Sequence, residues 1–223
     1  MRGPGRKPAG STPSWTKDFA YGVGLMASDG NLSPDGRHLV FVSKDLEQAE
    51  TLKDCFKLHT DPVQVKTSNK IQGRYYRLQW SDVILYRFLE SIGLSRNKSK
   101  TLGPLAIPEP LFGEFLRGLF DGDGSFYSYF DPRWKSSFMF YVVFVSASNK
   151  FMSWIQKEIQ RLYGLKGHTT TSKDGSCMQL RYAKKESLLL LKVLYHPQTK
   201  RFLKRKRLKI MRALRIVGKS LMR

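Results

Sequence analysis

Residues 22–30 read GVGLMASDG and residues 116–124 read LRGLFDGDG. Both close on G-L-x-x-x-D-G. Gly24 matches Gly118, Asp29 matches Asp123 and Gly30 matches Gly124, at a separation of 94 residues. Similarity at a fixed interval is the mark of a duplicated unit. It continues downstream, where V-F-V-S at Val40–Ser43 returns at Val143–Ser146. YRLQWS at Tyr76–Ser81 returns as MQLRYA at Met178–Ala183. The second copy is longer, and the surplus falls at 127–136, YSYFDPRWKS, which reads as a polar and aromatic hairpin or loop.

Hydrophobic periodicity orders each copy in the same way. A Gly-bearing apolar helix comes first, over Trp15–Asp29 and Pro108–Asp123, with Pro108 and Pro110 suiting a helix start. Two strands follow at 31–34 and 38–44, and again at 124–131 and 137–147. A helix is predicted over 45–58 and 149–163, then strands at 62–68 with 73–80 and at 167–172 with 176–182. A third helix closes each copy at 81–92 and 184–194. Residues 1–13 form a basic arm, 14–93 the first repeat, 94–107 the linker and 108–223 the second repeat. An extra basic helix is expected over 197–217. The class is α+β, built as α-β-β-α-β-β-α twice with pseudosymmetric halves.

The chain has 223 residues, with 39 Lys and Arg against 18 Asp and Glu, a formal net charge of +21. Such a balance favours a polyanionic partner. The last 29 residues alone hold eleven Lys and Arg and no acid. A 41% apolar fraction with 13% aromatics excludes a disordered chain. Two cysteines cannot build a disulfide framework, so a reducing intracellular setting is expected. No apolar run reaches the length of a membrane span, and the N-terminus lacks a secretory h-region, so no membrane partner is expected.

The motif order resembles the LAGLIDADG homing endonuclease family in its single-chain, two-repeat form, over about residues 15 to 210. The first copy departs from the pattern at Ala27, where the family often has an acid; the second keeps Asp121. The resemblance implies antiparallel sheets that form a saddle for DNA, with the two motif helices packed between the halves. It implies a monomer that needs no protein partner and cuts both strands of a long double-stranded target. Cleavage would run across the minor groove and leave short 3′ overhangs, in the service of a mobile intron. An intron RNA maturase, or a DNA-binding regulator that does not cut, is the alternative.

Side-chain chemistry agrees with a site at the motif ends. An Asp at a helix C-terminus faces the negative end of the macrodipole. Gly30 and Gly124 read as left-handed residues closing the helices. If Gly24 and Gly118 allow close packing, Asp29 and Asp123 become neighbours that require a proton or a cation. Carboxylate oxygens point to Mg²⁺, with Ca²⁺ or Mn²⁺ able to occupy the same place. The resemblance makes Asp29 and Asp123 the metal-binding catalytic pair. Whether backbone near Ala27 or Ser28 contributes is left open, and Asp121 is a reserve acid in the second copy.

The resemblance also nominates Lys98 and Lys206 as lysines reaching the cleavage centre, and Lys44 as a pocket residue whose counterpart is Ala147. DGDG at 121–124 fails as an EF-hand, because Phe126 and Pro132 stand where Gly and Glu are required. The histidines and cysteines are too scattered for zinc. In each repeat one strand alternates apolar residues with Arg and Gln, the side chains that read guanine and adenine. Tyr75, Arg77, Gln79, Gln179 and Arg181 are therefore candidate base contacts. Lys204, Arg205 and Arg207 are candidate phosphate contacts. Strand 38–44 is apolar on both sides, and its DNA face is not assigned.

Overall fold

The computed structural model describes residues 13–66 and 74–221. Except for Pro13, the expected basic arm lies outside the described residues, as do positions 67, 68 and 73 of the predicted strands. Helix α1 (Lys17–Asp29) starts where the Thr16 hydroxyl accepts the Phe19 amide at 3.1 Å. Every residue from Phe19 to Ala27 is buried, so α1 is apolar on all sides and needs cover on all sides. Its counterpart α5 (Phe112–Gly122) follows a single 3₁₀ turn at Glu109–Leu111 and is buried from Glu114 to Asp121.

These two helices pack against each other at their glycines. A methyl group at Gly24 would lie 2.1 Å from the Phe115 carbonyl oxygen; one at Gly118 would lie 2.1 Å from the Tyr21 carbonyl oxygen. Backbone meets backbone there, as only Gly permits. The reading of Gly30 and Gly124 as left-handed caps is corrected. Gly30 is extended at φ −84° and ψ 157°, and Gly124 is not among the left-handed glycines. The chain passes straight from α1 into the next strand, and from α5 into its strand through Asp123 and Gly124 alone. Glycine is needed for room: a methyl at Gly30 would meet the Met26 sulfur at 2.6 Å, and one at Gly124 the Phe120 ring at 2.4 Å.

Two four-stranded antiparallel sheets flank the helix pair, in the orders β1-β2-β4-β3 and β5-β6-β8-β7. The first comprises β1 (Gly30–Leu32), β2 (His38–Ser43), β3 (Val63–Lys66) and β4 (Arg74–Ser81). The second comprises β5 (Ser125–Asp131), β6 (Trp134–Ser146), β7 (His168–Thr171) and β8 (Met178–Tyr182). The surplus residues of the second copy extend β5 and β6 as strands. Helices α2 (Leu46–Phe56) and α3 (Val83–Ser91) back the first sheet; α6 (Asn149–Tyr163) and α7 (Lys184–Leu194) back the second. The buried side chains form one continuous cluster across both halves.

Two connections differ from expectation. The linker carries a short helix, α4 (Lys98–Thr101). The basic helix α8 spans Lys204–Ile216 and does not begin at 197. Polar groups of α5 hold the preceding segment extended. Buried Arg117 donates to the Arg201 carbonyl at 2.7 Å and the Leu194 carbonyl at 3.0 Å, and Asp121 accepts the Leu203 amide at 2.9 Å.

The glycine contact yields a stability test. Gly118→Ala gains about 1 kcal/mol of helix propensity. It also inserts a methyl against rigid backbone, where overpacking costs about 1–3 kcal/mol or more. The clash wins, and urea denaturation should show a net loss for Gly118→Ala and for Gly24→Ala.

Candidate active site between the two motif helices

Helices α1 and α5 end side by side, each on an acid. Asp29 is the last residue of α1, and Asp123 is the C-terminal cap of α5. A methyl at Gly122 would lie 2.9 Å from Asp29 Oδ2, so this carboxylate presses on the end of the opposite helix. Burial, and then the charge of Asp123, push Asp29 up to about 6. Lys98, Lys206 and the Ser28 hydroxyl oppose the shift without cancelling it. Asp123 stands more open to solvent, yet protein on its remaining sides also raises its pKa, against Lys98 and Lys206.

Both expected lysines reach these helix ends, as caps. Lys98 Nζ donates to the Ser28 carbonyl at 2.9 Å. Lys206 Nζ lies within 2.5–3.0 Å of four carbonyl oxygens, those of Phe120, Asp121, Gly122 and Gly124. The first three are carbonyls that the C-terminus of α5 leaves unpaired, the fourth lies just beyond it, and a cation there opposes the macrodipole. Burial pulls both lysines down, Lys206 to about 8. Ala27, Ser28, Lys98 and Asp123 line one cleft of about 360 Å³ with Ser99, Leu102 and Val145–Ala147.

Lys44 follows directly on β2, at the strand end nearest Asp29. It is exposed, with its ammonium 5.4 Å over the ring of Tyr75 on the open side of the first sheet. Asp121 is not a reserve acid. It is 1% exposed and accepts the Tyr21 hydroxyl at 2.8 Å and the Leu203 amide at 2.9 Å, with the Tyr195 hydroxyl at 3.4 Å. This carboxylate joins α1, α5 and the start of α8. Sequence reasoning missed the role, although a signal existed: Asp121 with Tyr21 in one place answers to Ala27 with Phe115 in the other.

Beside Lys206, three further α8 cations have partners. Arg205 forks onto Asp45 at 2.7–2.9 Å, Lys204 lies 3.4 Å from Glu47, and Arg207 sits 4.4 Å over the Phe202 ring. Lys204 and Arg205 therefore bridge to the first half through exposed ion pairs.

Sheet register assigns the open faces. Leu39, Phe41, Leu78 and Trp80 point to the core, so His38, Val40 and Val42 face outward beside Ser81, Gln79 and Arg77. This settles the face of β2. Tyr75 shares that surface. In the second sheet Gln179 and Arg181 stand beside Val145 and Val143. Arg181 donates to Gln179 Oε1 at 3.0 Å through Nε. Outward from the centre the first half presents Arg77 then Gln79, and the second Gln179 then Arg181.

The acid pair suits a divalent cation. Its donors are hard oxygens, its mutual repulsion is relieved by positive charge, and one side is open to solvent. Among the described residues no third His, Cys, Asp or Glu joins it.

Two measurements follow from this geometry. Lys206→Met strands four carbonyls and should lower stability by at least about 2 kcal/mol. Lys98→Met strands one and should lose less; parallel urea titrations in EDTA compare them. Asp29→Asn should stabilise the metal-free protein at pH 7.5 by about 1–3 kcal/mol, because the ionised acid is disfavoured in the fold. Its folded pKa lies above the unfolded value, so the penalty exists above about pH 6 and fades as pH falls towards 3.8. The gain should therefore vanish near pH 4, as read by denaturation at the two pH values.

No protein-family profile and no curated protein sequence matches the chain. Solved structures do. The homing endonuclease I-WcaI bound to its DNA recognition sequence aligns with a TM-score of 0.64 at 14% identity, over 87% of this chain and 86% of that one. I-DmoI in complex with DNA and Ca aligns at 0.56 and 14%, over 82% and 91%. Full-length DUF199/WhiA from Thermatoga maritima aligns at 0.57 and 17%, over 92% of this chain. The chain spans 62% of the length of that protein. The shared architecture comprises the paired helices and both sheets: this single chain has the LAGLIDADG homing endonuclease fold.

Proposed function

We propose that the protein is a site-specific endonuclease that hydrolyses both strands of a long double-stranded DNA target with divalent metal. The observation that carries this reading is the adjacent pair Asp29 and Asp123, each on a helix end and each raised in pKa by its surroundings. Nothing in the packing requires acids there, and both are strained by burial. Their oxygens would hold Mg²⁺, with Ca²⁺ and Mn²⁺ as alternatives; the similar I-DmoI has been solved with DNA and either of these two ions. When bound, the ion supplies the positive charge that eases attack at a phosphate.

The chain's own residues do the rest. The outward rows of Arg77, Gln79, Gln179 and Arg181 bind a duplex lying along both sheets. The cleft beside Asp123 receives a backbone phosphate. Lys98 and Lys206 hold the helix ends in place and offset part of the acids' charge, with their protons committed to carbonyls. Because Arg and Gln appear in opposite order in the two halves, the target is not a palindrome. A monomer suffices, since one chain supplies both acids. A reducing intracellular setting and a mobile-intron origin belong to the same reading; Cys55 and Cys177 are both free thiols.

A second reading, a DNA-binding protein that does not cut, is suggested by the similarity to WhiA, in which a LAGLIDADG domain forms the N-terminal part of a larger protein. Asp29→Asn and Asp123→Asn separate the two. Each removes a metal ligand at nearly constant shape and should abolish cleavage in Mg²⁺ while gel shifts in Ca²⁺ stay intact or tighten. Because Asp121 is held in the interior, residual nicking should be equally low in both variants. Full cleavage by either would remove the acids from catalysis. A wild type that selects a sequence without cutting it would support the second reading.

A further inference from the structure

The two open sheet faces differ in reach. Strands β5 and β1 both leave the acid pair and run outward, but β5 has seven residues and β1 three. Four more residues at about 3.3 Å each extend the second face by about 13 Å. At about 3.4 Å per base pair that is about four base pairs of B-form duplex.

This extension is occupied by tyrosines. Tyr127 and Tyr129 alternate on the open side of β5, and Tyr141 stands opposite Tyr127 on β6. The rings of Tyr127 and Tyr141 stack at 4.9 Å and 15°; Tyr129 lies 6.5 Å and 6.3 Å from them, within 8° of parallel. Register places them on the same side as Arg181 and Gln179, in the rows farther from the acids. At the outer end Arg133 forks onto Asp131 at 2.9–3.1 Å, with its side chain 79% exposed. In the first half the corresponding hairpin turns before it could hold such a group.

We propose that Tyr127, Tyr129 and Tyr141 determine base preference at the outer end of the half-site bound by the second half, which is longer than the other by about four base pairs. A phenol hydroxyl both donates and accepts, so it pairs with groove-edge acceptors and donors alike. The ring edge fits a thymine methyl. Mutual stacking orders the rings before binding, so little freedom is lost on contact. The inference rests on the DNA-binding reading above and on no step of cleavage.

The test is binding selection in Ca²⁺ from fully randomised duplexes, with wild type beside the triple variant Tyr127→Phe, Tyr129→Phe, Tyr141→Phe. Phenylalanine keeps the stack and removes only the hydroxyls; equal melting temperatures check the fold. Wild type should yield a site whose specified positions extend farther on one side. The variant should lose discrimination there, by about two- to tenfold per contacted position, and keep its inner preferences. Identical profiles, or a uniform loss at every position, would overturn the proposal. A wild type that selects no duplex at all would overturn the DNA-binding reading and this inference with it. A symmetric wild-type site would leave that reading standing and sink this one alone.

Discussion

The contact between Gly24 and Gly118 sets the geometry of everything near the centre. With side chains absent at both positions, two fully buried helices approach until backbone meets backbone. Their ends then cannot separate, and Asp29 is pressed against Gly122 with Asp123 beside it. Burial and like charge make that arrangement unfavourable on its own. Lys98 and Lys206 offset it by placing ammonium groups on the terminal carbonyls. The site is therefore a balance of opposed charges held by a rigid contact.

The two lysine-bearing segments also lock the halves by a shared plan. Each caps the motif helix of its own half and crosses to the start of a helix in the other. From α4, Lys98 holds the end of α1 while the Leu102 carbonyl accepts the Ser148 hydroxyl that caps α6. From α8, Lys206 holds the end of α5 while Arg205 forks onto Asp45, the residue that precedes α2. The chemistry differs, a hydroxyl on one side and an ion pair on the other, but the placement is the same. Exposed ion pairs contribute little each; the buried lysines and hydroxyl carry more of the interface.

Features with short sequence span were legible. The helix pair and its acids were visible because a seven-residue signature recurs, and the sheets because strands alternate in polarity. The face of β2 was not legible: Val40 and Val42 resemble Leu39 and Phe41 in composition, and only pairing with Arg77 and Gln79 separates them. Asp121 was misread because its partners Tyr21 and Leu203 lie 100 and 82 residues away. The ion pairs of Lys204 and Arg205 were not legible because Glu47 and Asp45 belong to the other half. Glycine was recognised at 30 and 124, but its usual reason, left-handed geometry, is not the one that operates; room for Met26 and Phe120 is.

The hydrogen bond between Tyr21 and Asp121 makes the two halves unable to replace each other. It crosses from α1 to α5, and the repeat puts the apolar Phe115 and Ala27 at the equivalent positions. Two copies of the first half would set Tyr21 against Ala27 and bury a phenol without an acceptor. Two copies of the second would set Phe115 against Asp121 and bury a carboxylate without its tyrosine donor. Either mismatch is penalised, the second more heavily because a charge is involved. This one polar pair gives each half a preference for its unlike sibling over a second copy of itself.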